Sequence, residues 1–167
     1  DLHVRSRRQR QDVYKRQVLA IVSSALLLIV VDMTVLYTAL PRLTHELGVT
    51  ASSKLWIVNI YALVVSGLLL GMGTLGDRLG HKRLFMMGLV VFGAASLAAA
   101  YSPNPGALIA ARAVLAIGAA MMMPATLSIL RLTFTDERER AVAIGVWASV
   151  ASVSYTHLRA HETREDL

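Results

Sequence analysis

The sequence contains no cysteine. That absence excludes a disulfide framework and all thiolate chemistry. No metal-ligand spacing, catalytic triad or phosphate-binding loop stands out, and His45 and His81 are isolated from other candidate ligands. Gly71-Met72-Gly73 is glycine-rich but lacks the preceding strand that a dinucleotide site requires. Charge is also scarce where the chain is most apolar. Only Asp32 and Arg112 lie well inside apolar runs. A membrane-embedded enzyme would need clustered His, Asp or Glu at that depth.

What the chain does have is hydrophobic length. Its 167 residues are 55% hydrophobic, with a mean hydropathy of +0.55. The apolar residues come in runs near twenty residues, the length that crosses about 30 Å of hydrocarbon. The first expected helix runs from Val18 to Leu40 and ends at Pro41, whose ring and missing N–H oppose continuation. A polar loop, Pro41–Lys54, leads to a second helix from Leu55 to Gly76. Gly67-Leu68-Leu69-Leu70-Gly71 in that helix is a G-x-x-x-G pattern that permits close helix approach. A third helix spans Leu84–Tyr101, and a turn with two prolines follows at Ser102–Gly106. A fourth spans Ala107–Leu130 and contains Arg112 and Pro124. After the charged loop Arg131–Arg140, a fifth helix starts near Ala141.

The pI of about 10.2 invites a nucleic-acid reading, but the placement of the charge opposes it. Asp12-Val13-Tyr14-Lys15-Arg16-Gln17 can be encoded by a DNA string whose reverse complement encodes most of Val153-Ser154-Tyr155-Thr156-His157-Leu158. Inverted flanks of this kind look like transposase-adapter sequence translated in frame. Residues 1–17 and 153–167 are therefore expected to be non-native, and 18–152 to hold the helices. Without the two ends, nine Lys/Arg and six Asp/Glu remain, a net +3 instead of +6. The apparent basic arm is then no sign of a nucleic-acid partner.

Basic residues concentrate in short cytoplasmic loops. Arg78, Lys82 and Arg83 lie between the second and third helices, and Arg131, Arg138 and Arg140 between the fourth and fifth. The connection between helices three and four has none. The two basic loops are thus expected inside, with the N-terminus of the first helix on the same side.

Two intramembrane charges are the expected functional centre. A carboxylate near the bilayer centre costs about 3 kcal/mol, so Asp32 should face a cavity or partner. It lies eight residues, about 12 Å, before Leu40 at the outer end of its helix. Arg112 lies five residues, about 8 Å, into the inward-running fourth helix. The two can meet at similar depth as an ion pair. The alternatives are an Asp32 near the outer interface and an Arg112 that snorkels to the surface. Asn59, Tyr61 and Met122 are candidates for a substrate path. Trp56, near a helix end, reads as an interfacial belt residue.

The stretch Gly73-Thr74-Leu75-Gly76-Asp77-Arg78-Leu79-Gly80-His81-Lys82-Arg83 resembles the loop between helices 2 and 3 of the major facilitator superfamily of secondary transporters. Val31-Asp32-Met33-Thr34-Val35 and Ala39-Leu40-Pro41 resemble the helix 1 signature of its fourteen-helix drug:proton antiporter branch. Leu108, Arg112 and Gly118-Ala119-Ala120 resemble that branch's helix 4 proton-relay motif, with Leu115-Ala116 where the family often has Gln-Gly. The resemblance implies an all-α membrane protein: the N-terminal part of a major facilitator bundle, with four full transmembrane helices and the start of a fifth. It implies a proton-coupled exporter of cationic or amphipathic compounds in a bacterial cytoplasmic membrane, working by alternating access without a cofactor. Asp32 and Arg112 would couple proton to substrate. Gly73, Gly76, Asp77, Arg78, Gly80, Lys82 and Arg83 would form the cytoplasmic gate, with Asp77 pairing with Arg131, Arg138 or Arg140. A solute:proton symporter of the same superfamily stays open, because the helix 5 motif that would decide is not reached. A membrane-embedded enzyme or scaffold is the reading from another class. Alone, these helices would leave the transport cavity unfinished.

Overall fold

A computed structural model describes the backbone of residues 2–46 and 48–165. Side chains are described for residues 9–150, other than 43, 44, 46 and 47, and for Ser152. Among the described residues there are five α-helices and no strand: α1 (Leu2–Glu46), α2 (Ala51–Leu79), α3 (His81–Ala100), α4 (Pro105–Thr133) and α5 (Glu137–Glu165). Four stretches, Gln9–Arg42, Ala51–Leu79, His81–Ala100 and Pro105–Thr133, are long and apolar enough to cross a membrane. The side chains of the adapter-like tail, 153–167, lie outside the described residues. The backbone of 2–17 continues α1 without a break.

The helices are longer than expected, and their connections correspondingly shorter. Pro41 does not end α1, which continues to Glu46. A proline removes the bond its own nitrogen would give to the carbonyl four residues back, and its ring crowds that carbonyl. Here that carbonyl belongs to Tyr37, and Pro41 stands one residue before the end of the apolar stretch Gln9–Arg42. Pro124 likewise sits inside α4. The expected connection, residues 77–83, reduces to Gly80, whose φ of +93° lies where a Cβ is disfavoured.

Three helix starts are fixed by side chains that satisfy otherwise orphaned N–H groups. The Thr50 hydroxyl accepts from the Ser53 N–H at 3.2 Å, opening α2. Asn104 Oδ1 accepts from the Ala107 N–H at 2.8 Å. Pro105, expected in a turn, is therefore the first residue of α4, a position that needs no N–H. Asp136 Oδ1 accepts from Arg138 and Glu139 N–H at 2.9 and 3.0 Å, so α5 begins four residues before Ala141.

The chain divides into two compact units. The first comprises residues 1–34 and 127–167. Its buried side chains include Val22, Ala25, Leu26 and Ile29 of α1, and Ile129, Leu130, Phe134 and Ala143. Lys15 pairs with Glu139, and its ammonium lies 5.9 Å from the centre of the Phe134 ring. The second unit, residues 35–126, closes at one end around Leu36, Leu40, Ile57 and Leu108, with Val49, Val58, Ala99 and Ile109 packed against them. Deeper in this unit α3 and α4 cross at two glycines. A Cβ at Gly88 would stand 2.9 Å from the Gly118 carbonyl oxygen, and one at Gly118 would stand 2.9 Å from the Gly88 carbonyl oxygen. Gly67 and Gly71, where close approach was expected, have nothing of this chain within 4 Å of such a Cβ.

Candidate functional site

Most polar side chains in the apolar helices satisfy themselves locally. Thr34 donates to the Val30 carbonyl at 3.1 Å, Ser66 to Leu63 at 3.0 Å and Thr126 to Met123 at 2.7 Å. These back-bonds hide hydroxyls from an apolar surrounding. A carboxylate or guanidinium cannot be hidden so cheaply, and Asp32 and Arg112 therefore dominate the electrostatics of the apolar segments.

Arg112 is buried, with 2% of its surface exposed, so it does not snorkel to the surface. Its guanidinium carbon lies 4.7 Å from the centre of the Tyr61 ring, itself only 2% exposed. This contact between α2 and α4 is absent from any reading of the sequence. The structure thus brings one expected path residue, Tyr61, against one expected coupling residue. Met122 is buried and packs beside Gly88. Asn59 is exposed on the side of α2 opposite Tyr61, since two residues turn a helix by about 200°. Trp56 is also exposed. Asp32 is half-buried on α1, in the first unit, while Arg112 belongs to the second.

The second cluster lies where α2 meets α3. Asp77 Oδ1 is 3.2 Å from His81 Nε2, across the Gly80 break. The His81 ring covers Gly76: a Cβ there would meet His81 Nδ1 at 2.7 Å and the Leu84 side chain at 3.2 Å. The backbone at Gly80 demands glycine and a Cβ at Gly76 would force the His81 ring to move, whereas Gly73 has open space. Arg78, Lys82 and Arg83 are exposed. His81, which reads as isolated in the sequence, is a partner of Asp77. The i, i+4 spacing of the two was the available signal. Of the bases expected to pair with Asp77, Arg131 and Arg138 are exposed, and Arg140 lies 3.8 Å from Glu137. All three belong to the first unit.

The sequence profile of the Major Facilitator Superfamily matches residues 22–156 of this chain. The chain belongs to that superfamily. It is thus an integral membrane protein of a transporter family and not of an enzyme family. It is similar to the methyl viologen resistance protein SmvA of Salmonella typhimurium, 53% identical over 74% of this chain and 25% of that protein. It is similar to the multidrug efflux pump LfrA of Mycolicibacterium smegmatis, 46% identical over 78% of this chain and 26% of the pump. It also resembles a methylenomycin A resistance protein of Bacillus subtilis, 39% identical over 82% of this chain and 29% of the relative. The chain spans about a quarter of the length of these major facilitator relatives.

Proposed function

We propose that this chain is the N-terminal helical part of a proton-coupled efflux antiporter for cationic and amphipathic compounds. The observation that carries this reading is Arg112, a permanently charged side chain buried in α4 of a major facilitator protein. A buried guanidinium puts a fixed positive charge among apolar helices, and a cationic substrate is accepted there only alongside an acid. Asp32 is the acid we assign to that role: it holds either a proton or the substrate's charge, never both. The names of the relatives support export of such compounds, because methyl viologen is an organic dication. Transport itself belongs to the longer protein, since these helices supply only part of a cavity between two halves.

We assign Gly73, Gly76, Asp77, Arg78, Gly80, Lys82 and Arg83 to the cytoplasmic gate. Asp77 holds the gate shut by charge, and the bases fix it on the inner side. Asn59 and Met122 remain assigned to the substrate path. The membrane is the bacterial cytoplasmic membrane, with the N-terminus of the first span inside. Residues 1–17 and 153–167 are assigned to adapter-derived sequence.

Purified full-length protein in liposomes tests the transport reading. An imposed proton gradient is expected to drive a cationic dye against the direction of proton flow. Dye movement in the same direction as protons would replace antiport with symport. For orientation, single cysteines at Thr50 and Asn104 should react with an impermeant thiol reagent from outside, and one at His81 only from inside. The opposite pattern would invert the topology.

A further inference from the structure

We infer that Tyr61 is a positioning residue for Arg112: the face of its ring holds the guanidinium at its depth in the bundle whether or not an acid nearby is ionised. The contact itself is a guanidinium carbon 4.7 Å from the ring centre, well inside the range over which an aromatic quadrupole attracts a cation. Both groups are withdrawn from solvent. The attraction is strongest under those conditions, and an Arg there most needs an opposing charge distribution.

The register of the helices explains why the two side chains meet. Ile57 of α2 and Leu108 of α4 belong to one apolar cluster with Leu36 and Leu40. Tyr61 follows Ile57 by four residues, and Arg112 follows Leu108 by four. Four residues advance a helix about 6 Å and return to nearly the same face. The ring and the guanidinium therefore form the next layer inward from the Ile57–Leu108 layer. Packing in that apolar layer holds the backbone of both helices in register, so the ring is presented to Arg112 without a flexible segment between them.

A ring differs from a carboxylate partner in one respect that bears on transport. Its attraction comes from the π face and needs no ionised partner. A carboxylate that takes a proton or binds a cationic substrate releases an arginine paired to it, and an arginine then free to swing would leave the site. With the Tyr61 face beneath it, Arg112 stays in place through that exchange. Only this last step rests on the antiport reading. The contact and its energetic effect do not.

The test is a fluorination series at position 61 of the full-length protein, read by SDS unfolding in mixed micelles, a measurement that requires no transport. Tyr61→Phe keeps the ring face and is expected to unfold like the parent. Mono-, di- and trifluorophenylalanine at 61 keep the shape but drain the ring face. The unfolding equilibrium should shift stepwise, by about ten- to thirty-fold for the full series, thirty-fold being ~2 kcal/mol of a desolvated cation–π contact at 1.4 kcal/mol per tenfold. In an Arg112→Met background the same series should be flat. A flat series with Arg112 present, or an equal slope in the Arg112→Met background, would reduce Tyr61 to a packing residue. Efflux by the same variants, expected to follow the stability order, separates the two levels. A stepwise stability series without any efflux by the parent would retain the contact and remove the antiport reading.

Discussion

Asp32→Asn is expected to lower export of cationic compounds by about 100-fold or more, while the protein still inserts and folds. The substitution keeps the shape of the side chain and removes its charge. A cationic substrate would lose a charge-assisted partner of about 1.5–3 kcal/mol and stand unanswered among apolar helices, and about 2.7 kcal/mol is already a hundredfold. Export of a neutral compound should fall much less, because it draws on the bundle's shape and not on the acid's charge. The assay is proton-gradient-driven efflux of a cationic dye and a neutral compound at matched membrane levels of protein. Cation efflux equal to that of the parent would remove Asp32 from the mechanism and return it to the outer interface. Arg112→Ala is the less informative partner experiment. It alters charge, vacates the Tyr61 face and leaves a buried void together.

Gly118→Val should abolish accumulation of folded protein, for a reason unconnected with transport. A Cβ at Gly118 stands 2.8 Å from the Phe92 nitrogen, 2.9 Å from the Gly88 oxygen and 3.0 Å from the Phe92 Cα. All three are backbone atoms of α3, which cannot turn aside as a side-chain tip does. Overpacking of this kind costs about 1–3 kcal/mol for extra methylenes, and a β-branched residue against backbone stands at or above the top of that range. Gly118→Ala should be intermediate. Gly67→Ala is the control: its Cβ meets open space, and in a helix interior the change should be neutral or stabilise by up to ~1 kcal/mol. Detergent-solubilised yield and thermal midpoint by fluorescence-detected gel filtration give the order. A Gly118→Val protein with the parent's midpoint would show that α3 and α4 do not cross at these glycines.

The four spans were legible in the sequence because a membrane helix announces itself by length and the absence of charge, both local properties. Arg112 was legible for the same reason, as an interruption. Helix ends were not. Pro41 is a strong stop in general, yet α1 runs five residues past it, beginning at the very end of the apolar stretch Gln9–Arg42. Gly67 and Gly71 carried the right spacing for close approach, but spacing says where approach is permitted and not which helix arrives. That partner came to Gly88 and Gly118, thirty residues apart, with no motif linking them. Tyr61 was readable as a path residue and His81 as a lone histidine. Their partners, Arg112 and Asp77, depend on which faces are turned inward, and that is decided by the packing of whole helices.

The single non-helical residue between α2 and α3 makes their relative phase a discrete quantity. With only Gly80 between them, at φ +93° and ψ 129°, no slack exists to absorb a change in chain length. One extra residue placed there would advance α3 by about 100° around its axis. Gly88 would then face away from Gly118, and a bulky neighbour would occupy the crossing. The longer connection between Tyr101 and Asn104 couples α3 to α4 far less stiffly. Natural variation in length among close relatives should therefore be confined to that end of the hairpins, and the Gly80 end should vary only by substitution.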